Sequence, residues 1–158
     1  MSDFYGRRGG VGTTYDEKGG VIVFDEYMIA CCGLNCSACS AAHGENPCRG
    51  CGSDDGCKPE FCRAICGIKL CEKRIVNKYR FCYECPDYPC EITKANDHRC
   101  RTEYATGESP FENLKKIRKY GMDRFLHEER TKWTCVECGG VIRAQDGVCT
   151  GCGMTYTF

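Results

Sequence analysis

The chain has 158 residues, 18 of them cysteine, and its 22 lysines and arginines balance its 22 aspartates and glutamates. Because the formal net charge is zero, no whole-protein field attracts it to nucleic acid or anionic lipid. Much of the 42% hydrophobic fraction is cysteine, so burial of apolar side chains alone is marginal against chain entropy. Metal ions or cross-links are expected to supply the missing stability.

The N-terminal part predicts a flexible, glycine-rich tail over residues 1–20, followed by a short strand at 21–24. The run at 21–24 is too short to cross a bilayer, and no stretch of signal-peptide type precedes it. We therefore expect a cytoplasmic protein without membrane association. Disulfides are rare in that compartment, so C-x-x-C pairs favour metal sites over a disulfide framework, which remains the alternative for an even cysteine count.

A cysteine-rich, multi-metal domain is predicted over residues 21–100. Its loops are rich in glycine, asparagine and aspartate, a composition that lets the backbone turn its amides toward metal-bound sulfur. Soft thiolate ligands in such loops are typical of zinc or iron–sulfur sites. The predicted ligands of this domain are Cys32, Cys36, Cys39, Cys48, Cys51, Cys57, Cys62, Cys66, Cys71, Cys82, Cys85 and Cys90.

Short helices are expected between these cysteines. Pro59 suits the first turn of a helix that places Cys62 and Cys66 on one face, four residues apart. Further helices are predicted over 70–79 and 91–98. Each is too short to be stable alone, so metal bound at the helix ends would explain why they form.

A helical spacer is predicted over residues 109–131. Ser109 at N-cap, Pro110 at N1 and Glu112 at N3 form a capping-box pattern, and Gly121 is placed to end the first of two helices. The basic residues of the first helix are expected to face solvent, with a nucleic-acid contact as the alternative.

The segment 132–158 has the spacing of a zinc ribbon, with two C-x-x-C pairs that are each followed by glycine and joined by a hairpin. The predicted ligands are Cys135, Cys138, Cys149 and Cys152. Four thiolates make a closed structural zinc site, and iron in a rubredoxin-like site is the alternative because it uses the same ligands.

Four motifs of the central region resemble a known group of proteins: CGLNCSAC at 32–39, NPCRGC at 46–51, CGIKLC at 66–71 and FCYECPDYPCE at 81–91. The chain resembles a cysteine-rich family of bacterial and archaeal proteins, domain of unknown function 3795. Some members look as though they continue into a helical segment and a C-terminal CxxCGG ribbon. The resemblance implies that the cysteines form a functional set, and it implies no particular activity.

The expected fold is thus a small metal-stabilised α+β protein: a cysteine-knuckle domain with short helices, a helical spacer and C-terminal zinc-ribbon β-hairpins. Zinc at several sites is the leading prediction, and an iron–sulfur cluster within residues 32–90 is the alternative. One division of the ligands is Cys71, Cys82, Cys85 and Cys90 at one site, Cys48, Cys51, Cys62 and Cys66 at a second, and Cys32, Cys36, Cys39 and Cys57 at a third. Other divisions fit the spacings equally well.

No catalytic motif is evident, so we expect a non-catalytic protein-interaction or accessory module with a protein partner, rather than an enzyme or a nucleic-acid-binding protein. An iron–sulfur protein for electron transfer is the alternative. The chain is too short for the barrel of radical enzymes, despite the C-x3-C-x2-C spacing at 32–39, and no thioredoxin-like pattern surrounds the C-x-x-C pairs. His43 and His98 are weaker candidate ligands, whereas Cys31 and Cys100 are assigned no site.

Overall fold

The computed structural model describes residues 14–15, 21–22, 24–53 and 56–158. Strand β1 (Thr14–Tyr15) pairs antiparallel with β2 (Val21–Ile22). The strand expected at 21–24 is therefore present in its first two residues. The predicted N-terminal tail lies outside the described residues, apart from the two residues of β1. In the described part of the chain, no helix is long and apolar enough to cross a membrane.

The described chain is a small cysteine-rich fold with few helices and little strand. Its α-helices are α1 (Glu72–Asn77), α2 (Glu91–Glu103), α3 (Pro110–Tyr120) and α4 (Met122–Trp133). Single 3-10 turns lie at Glu26–Met28, Cys36–Ala38, Ser40–Ala42 and Cys82–Glu84, and a π-helical turn lies at Phe61–Ile65.

The helices of the cysteine-rich region differ from the prediction in length and type. The helix expected from Pro59 is only the π-helical turn, which ends at Cys66, in extended conformation. Helix α1 is shorter than the predicted 70–79, because Lys78 adopts the left-handed conformation (φ 56°) and ends it. Helix α2 continues past the predicted residue 98 to Glu103, and its last turns bury Cys100 completely.

Helices α3 and α4 lie where two helices were predicted, and they pack against each other. Ser109 caps α3, since its hydroxyl accepts a hydrogen bond from the Glu112 amide at 3.2 Å. The break between the helices falls at Gly121, as predicted. Leu114 and Ile117 of α3 are buried in the same cluster as Phe125 of α4.

Among the described residues, the buried apolar side chains form two clusters. The first joins α3 and α4 to Ile29, Ile68 and Phe81 of the cysteine-rich region. The second surrounds Trp133, which is fully buried, and includes Val141 of the C-terminal segment. Both clusters include buried cysteines, so several thiol side chains are part of the packed core.

The CGLNCSAC segment is held against the beginning of α3. Asn113 Nδ2 donates a hydrogen bond to the Gly33 carbonyl at 3.0 Å. A Cβ atom at position 33 would lie 2.7 Å from the Pro110 carbonyl oxygen, so only glycine allows this approach. The contact fixes the first cysteines of the chain relative to the helix pair.

Candidate metal centres

The C-terminal cysteines lie in two similar turns directly after α4. The Gly139 amide donates to the Cys135 carbonyl at 2.9 Å, and the Gly153 amide donates to the Cys149 carbonyl at 3.1 Å. The amides of Gly140 and Gly151 point at sulfur, 3.4 Å from Cys138 Sγ and 3.3 Å from Cys149 Sγ. A Cβ atom at position 151 would approach Cys138 Sγ to 2.8 Å, which explains the glycine.

The four sulfur atoms of this set converge on one point. Cys135 and Cys152 Sγ are 3.6 Å apart, Cys138 and Cys149 Sγ are 3.5 Å apart, and all four atoms lie within 4.8 Å of one another. A tetrahedron with Zn–S bonds of ~2.3 Å has edges of about 3.8 Å. The set could therefore hold one metal ion with little adjustment.

The thiols of the set differ in acidity because their neighbours differ. The Tyr156 hydroxyl lies 3.0 Å from Cys135 Sγ and lowers the pKa of Cys135 to about 6, while its own pKa rises to about 12. The Gly140 amide lowers the pKa of Cys138, but the adjacent Cys149 sulfur and burial raise it to about 12. Thiolates are the form of cysteine that binds metal, and neighbouring thiolates repel one another. A cation bound between the four sulfurs would offset that repulsion.

The backbone of the C-terminal segment makes isolated antiparallel bridges rather than continuous strands. They join Thr134 to Val141, Ile142 to Cys149 and Val148 to Thr155. Short paired stretches on either side of the cysteines are sufficient to bring the two turns together.

A much larger group of cysteines surrounds a cavity of about 340 Å³ in the central region. We call this cavity the cysteine chamber. Its cysteines are Cys32, Cys36, Cys39, Cys48, Cys51, Cys62 and Cys66. Burial raises the pKa of Cys62 to about 11, and negative charge at Cys39 and Cys51 adds to the increase, so these side chains lie close enough to influence one another.

Side chains from distant segments complete the wall of the cysteine chamber. Asn96 and Arg99 come from α2, Lys58 precedes the π-helical turn, and Gln145 comes from the C-terminal segment. Gln145 Nε2 lies 3.1 Å from Cys39 Sγ and can donate to it. Hydrogen-bond donors and two cations thus face a space lined with sulfur.

A second, small cavity of about 30 Å³ lies beside α1 and the beginning of α2. Its wall includes Cys71, Cys82, Cys85 and Cys90, the four residues that the sequence analysis grouped at one site. The volume is close to the ~30 Å³ that one water molecule occupies.

The distances between sulfurs separate the C-terminal set from the central cysteines. Among the described residues, the C-terminal set is the one group of three or more cysteine, histidine or acidic side chains whose ligand atoms all lie within 4.8 Å. The ligand assignment of Cys32 to Cys90 therefore stays a prediction. A single ion would have to draw several of these sulfurs closer together.

The other candidate side chains differ in their relation to these sites: Cys57, His43 and His98 line neither cavity, whereas Cys31 lies beside cysteines of both. Cys57 is exposed. His43 Nε2 is 2.9 Å from the Ser37 carbonyl, and His98 is exposed on α2. Cys31, which was assigned no site, is buried, and its thiol hydrogen-bonds the Cys51 and Cys82 sulfurs.

The residues that support the sulfurs were not predicted from the sequence. Tyr156, Gln145, Asn96 and Arg99 belong to no cysteine motif, and they approach the sites only because the chain folds back on itself. No sequence signal of the kinds used above would have found them.

No protein-family model, curated protein or solved structure matches the chain.

Proposed function

We propose that the protein is a non-catalytic, multi-zinc-binding accessory or protein-interaction module with a structural Zn²⁺ in a C-terminal zinc ribbon. The observation that carries the proposal is the convergence of four sulfurs, with gaps of 3.5 and 3.6 Å across the set. The antiparallel bridges on both sides of the cysteines support the ribbon fold.

A zinc ion in this set would be structural because four thiolates leave no open position for substrate or water. The unfolded chain has no preformed site, so the binding free energy of the ion contributes directly to folding. In this proposal the central cysteines bind further zinc ions in the same role; the second candidate function below differs from it in assigning the cysteine chamber to a cluster instead.

The experiment is metal analysis of the purified full chain and of a variant of the C-terminal set. Cys149→Ala removes one buried ligand, and we expect about one zinc ion fewer per chain and disorder in the C-terminal segment. Cys100→Ala is the matched control, because Cys100 is also buried but belongs to no candidate site. It should retain the full zinc content.

Two results would contradict the proposal. Unchanged metal content and an unchanged fold in Cys149→Ala would show that the set does not hold a structural ion. Stoichiometric iron, with the visible absorption of a four-thiolate iron site, would replace zinc by the rubredoxin-like alternative.

The same proposal includes a protein partner, a cytoplasmic location and membership of the cysteine-rich family that the motifs resemble. A partner is supported by an exposed groove of about 580 Å³ between the aromatic side chains of Tyr83, Tyr88 and Phe111 and the basic side chains of Lys115 and Arg118. Aromatic residues and arginine are enriched at protein interfaces. Arg118→Glu should weaken partner binding, while Lys94→Glu, which lies outside the groove, should not.

The iron–sulfur alternative has one specific observation in its favour. The cysteine chamber has a volume of about 340 Å³, against about 30 Å³ for the cavity beside α1. A single ion leaves most of that space unfilled. The second candidate function is therefore an electron-transfer or redox accessory protein that carries an iron–sulfur cluster in the chamber, beside the structural zinc of the C-terminal set.

A further inference from the structure

We propose that the cysteine chamber binds one polynuclear iron–sulfur cluster, and that Asn96 and Arg99 of α2 donate hydrogen bonds to its sulfur atoms. This inference rests on the second candidate function and adds to it the location of the cluster and the groups that set its potential. Three independent features of the chamber support it: sulfur spacing, unpaired donors and charge.

The first feature is the spacing of the sulfurs. In the part of the chain that the structure describes, no three cysteines of the chamber bring their sulfurs within 4.8 Å of one another. A single tetrahedral ion requires gaps of about 3.8 Å, as in the C-terminal set. A cluster needs wider gaps because two or four iron atoms and their sulfides stand between the cysteines. Seven cysteines supply more than the four ligands that a cluster uses.

The second feature is a pair of buried donors without acceptors. Asn96 Nδ2 and Arg99 Nε are both buried and have no hydrogen-bond partner. Both side chains line the chamber. Burial of an unpaired donor is unfavourable, so these two groups require an acceptor, which is either an ordered water or a bound group. Cluster sulfides and ligating thiolates are acceptors of this kind.

The surrounding contacts hold these donors in place. Arg99 Nη2 donates to Asn96 Oδ1 at 3.2 Å, which fixes the amide so that Nδ2 is the free end. The Arg99 guanidinium also lies over the Phe61 ring, 4.6 Å from its centre. Neither side chain can turn away to find another partner without losing these contacts.

The third feature is charge. A cluster held by four thiolates has a net negative charge, and the chamber wall contains the cations Lys58 and Arg99, of which Arg99 also lies 3.9 Å from the exposed carboxylate of Glu103. The carboxylate of the wall belongs to Glu108, which is neutralised by Lys132 and accepts a hydrogen bond from Asn113 at 2.6 Å. The wall therefore favours an anionic group over an additional cation.

The test uses the full chain, reconstituted without oxygen with ferric iron, sulfide and an excess of a thiol reductant in the presence of zinc. We expect iron and acid-labile sulfide in equal amounts, a brown colour and one reversible one-electron wave. Hydrogen-bond donors to the cluster sulfurs stabilise the reduced cluster more than the oxidised one, because the reduced cluster carries one more negative charge. Asn96→Leu and Arg99→Met should each lower the midpoint potential, making reduction about tenfold less favourable, which is ~59 mV for one electron.

Two control variants separate the effect of the Arg99 Nε hydrogen bond on the midpoint potential from the effect of positive charge. Arg99→Lys keeps the positive charge but lacks Nε, so it should also shift the potential downward, by less than Arg99→Met. Lys94→Met removes an exposed charge from the same helix without touching the chamber and should leave the potential unchanged. Circular dichroism and the retained C-terminal zinc show that each variant is folded.

Each outcome decides a different claim. Zinc without iron in the reconstituted chain would overturn the inference and the second candidate function together, while the C-terminal zinc would stand. A cluster whose potential is the same in wild type, Asn96→Leu and Arg99→Met would overturn the donor assignment alone. Loss of the cluster from folded Arg99→Met, with the cluster retained in Lys94→Met, supports the donor assignment. Loss of the cluster from both variants counts against it.

Discussion

Tyr156 shows how one side chain outside the motifs can control a metal ligand. Its hydroxyl contacts Cys135 Sγ at 3.0 Å and accepts a hydrogen bond from the Val136 amide at 3.2 Å. The hydroxyl therefore donates toward sulfur and favours the thiolate of Cys135, whose pKa falls to about 6. The metal ligand is deprotonated near neutral pH before any ion binds.

Tyr156→Phe removes this hydrogen bond while it keeps the ring. We expect the pKa of Cys135 to rise toward its usual range and zinc affinity to fall by roughly tenfold or more, as for other groups that support metal ligands. The loss should be greater at pH 6 than at pH 8, because protons compete better with zinc at the more basic thiol. Competition with a chromophoric chelator measures the affinity.

Tyr27→Phe is the control for this variant, since Tyr27 is exposed and lies outside the candidate sites. Equal zinc affinity in Tyr156→Phe and wild type at pH 6 would show that the hydroxyl does not support the site.

Glu129 is a second residue whose role is visible only in the fold. Its carboxylate accepts hydrogen bonds from Asn35 Nδ2 at 3.1 Å and from Trp133 Nε1 at 2.7 Å. Burial raises the pKa of Glu129, and the nearby Glu108 charge raises it further. The carboxyl group thus links the CGLNCSAC segment to the last turn of α4.

The raised pKa predicts a pH dependence of stability. The folded chain holds the Glu129 proton more tightly than the unfolded chain, so this contribution is full below the ordinary glutamate pKa of about 4.3 and is lost as pH rises through the folded value. Glu129→Gln mimics the protonated form. The stability of Glu129→Gln relative to wild type should therefore increase with pH.

Urea unfolding of the zinc-loaded proteins at several pH values measures this difference, and the effect of pH on the metal sites cancels in the comparison. Glu129→Ala leaves the buried Asn35 and Trp133 donors without an acceptor and should lose about 1–3 kcal/mol of unfolding free energy. A constant difference between Glu129→Gln and wild type from pH 4 to 8 would contradict the pH argument.

The element that depends most clearly on one residue is α3. Ser109 caps it through the Glu112 amide, and the same hydroxyl donates to Asp97 of α2 at 2.7 Å. Asp97 also accepts a hydrogen bond from the Phe111 amide at 3.0 Å. The beginning of α3 is therefore joined to α2 by one serine and one aspartate.

Ser109→Ala removes the cap and the link to Asp97, and it should lower the free energy of unfolding by about 1–2 kcal/mol. Ser109→Thr keeps the hydroxyl and should recover most of that loss. Thermal or urea unfolding of both variants in zinc-loaded protein provides the measurement. If alanine and threonine at this position are equally destabilising, the hydroxyl is not the cause.

The contrast between α3 and the cysteine-rich helices shows what sequence can predict. The cap and end of α3 depend on neighbours within one turn, so Ser109 and Gly121 were enough to place them. The π-helical turn and the extension of α2 depend on distant packing, in which Arg99 lies over Phe61 and Cys100 is buried. Local propensity contains no information about such contacts.

The same distinction applies to the candidate sites. The four C-terminal cysteines lie within 18 positions, from Cys135 to Cys152, and one pair of turns brings them together. The cysteine chamber combines residues from Ala30 to Gln145, so the spacing of its cysteines left several divisions open. Its donors on α2 depend on how that helix packs, which the sequence pattern does not give.

At the scale of the whole molecule, the C-terminal segment is attached directly to the cysteine chamber. The Ala144 amide donates to the Ala38 carbonyl at 2.7 Å, and Gln145 Oε1 accepts from the Ser40 amide at 3.0 Å. Gln145 Nε2 contacts Cys39 Sγ at 3.1 Å. These contacts require the C-terminal segment to be folded, which in our proposal requires its zinc ion.

Loss of zinc from the C-terminal set should therefore loosen one wall of the chamber. In Cys149→Ala, the amides of Ser40 and Ala144 should lose protection from hydrogen exchange by at least tenfold, because the acceptor of the Ser40 amide and the Ala144 amide itself both belong to the segment that unfolds. Gln145→Ala should free the Ser40 amide alone and leave zinc bound.

Amides in the middle of α3 should keep their protection in both variants, since that helix packs on α4 and its cap lies elsewhere. Residue-resolved exchange by NMR distinguishes these patterns, and full protection of Ser40 in zinc-free Cys149→Ala would show that the two regions fold independently.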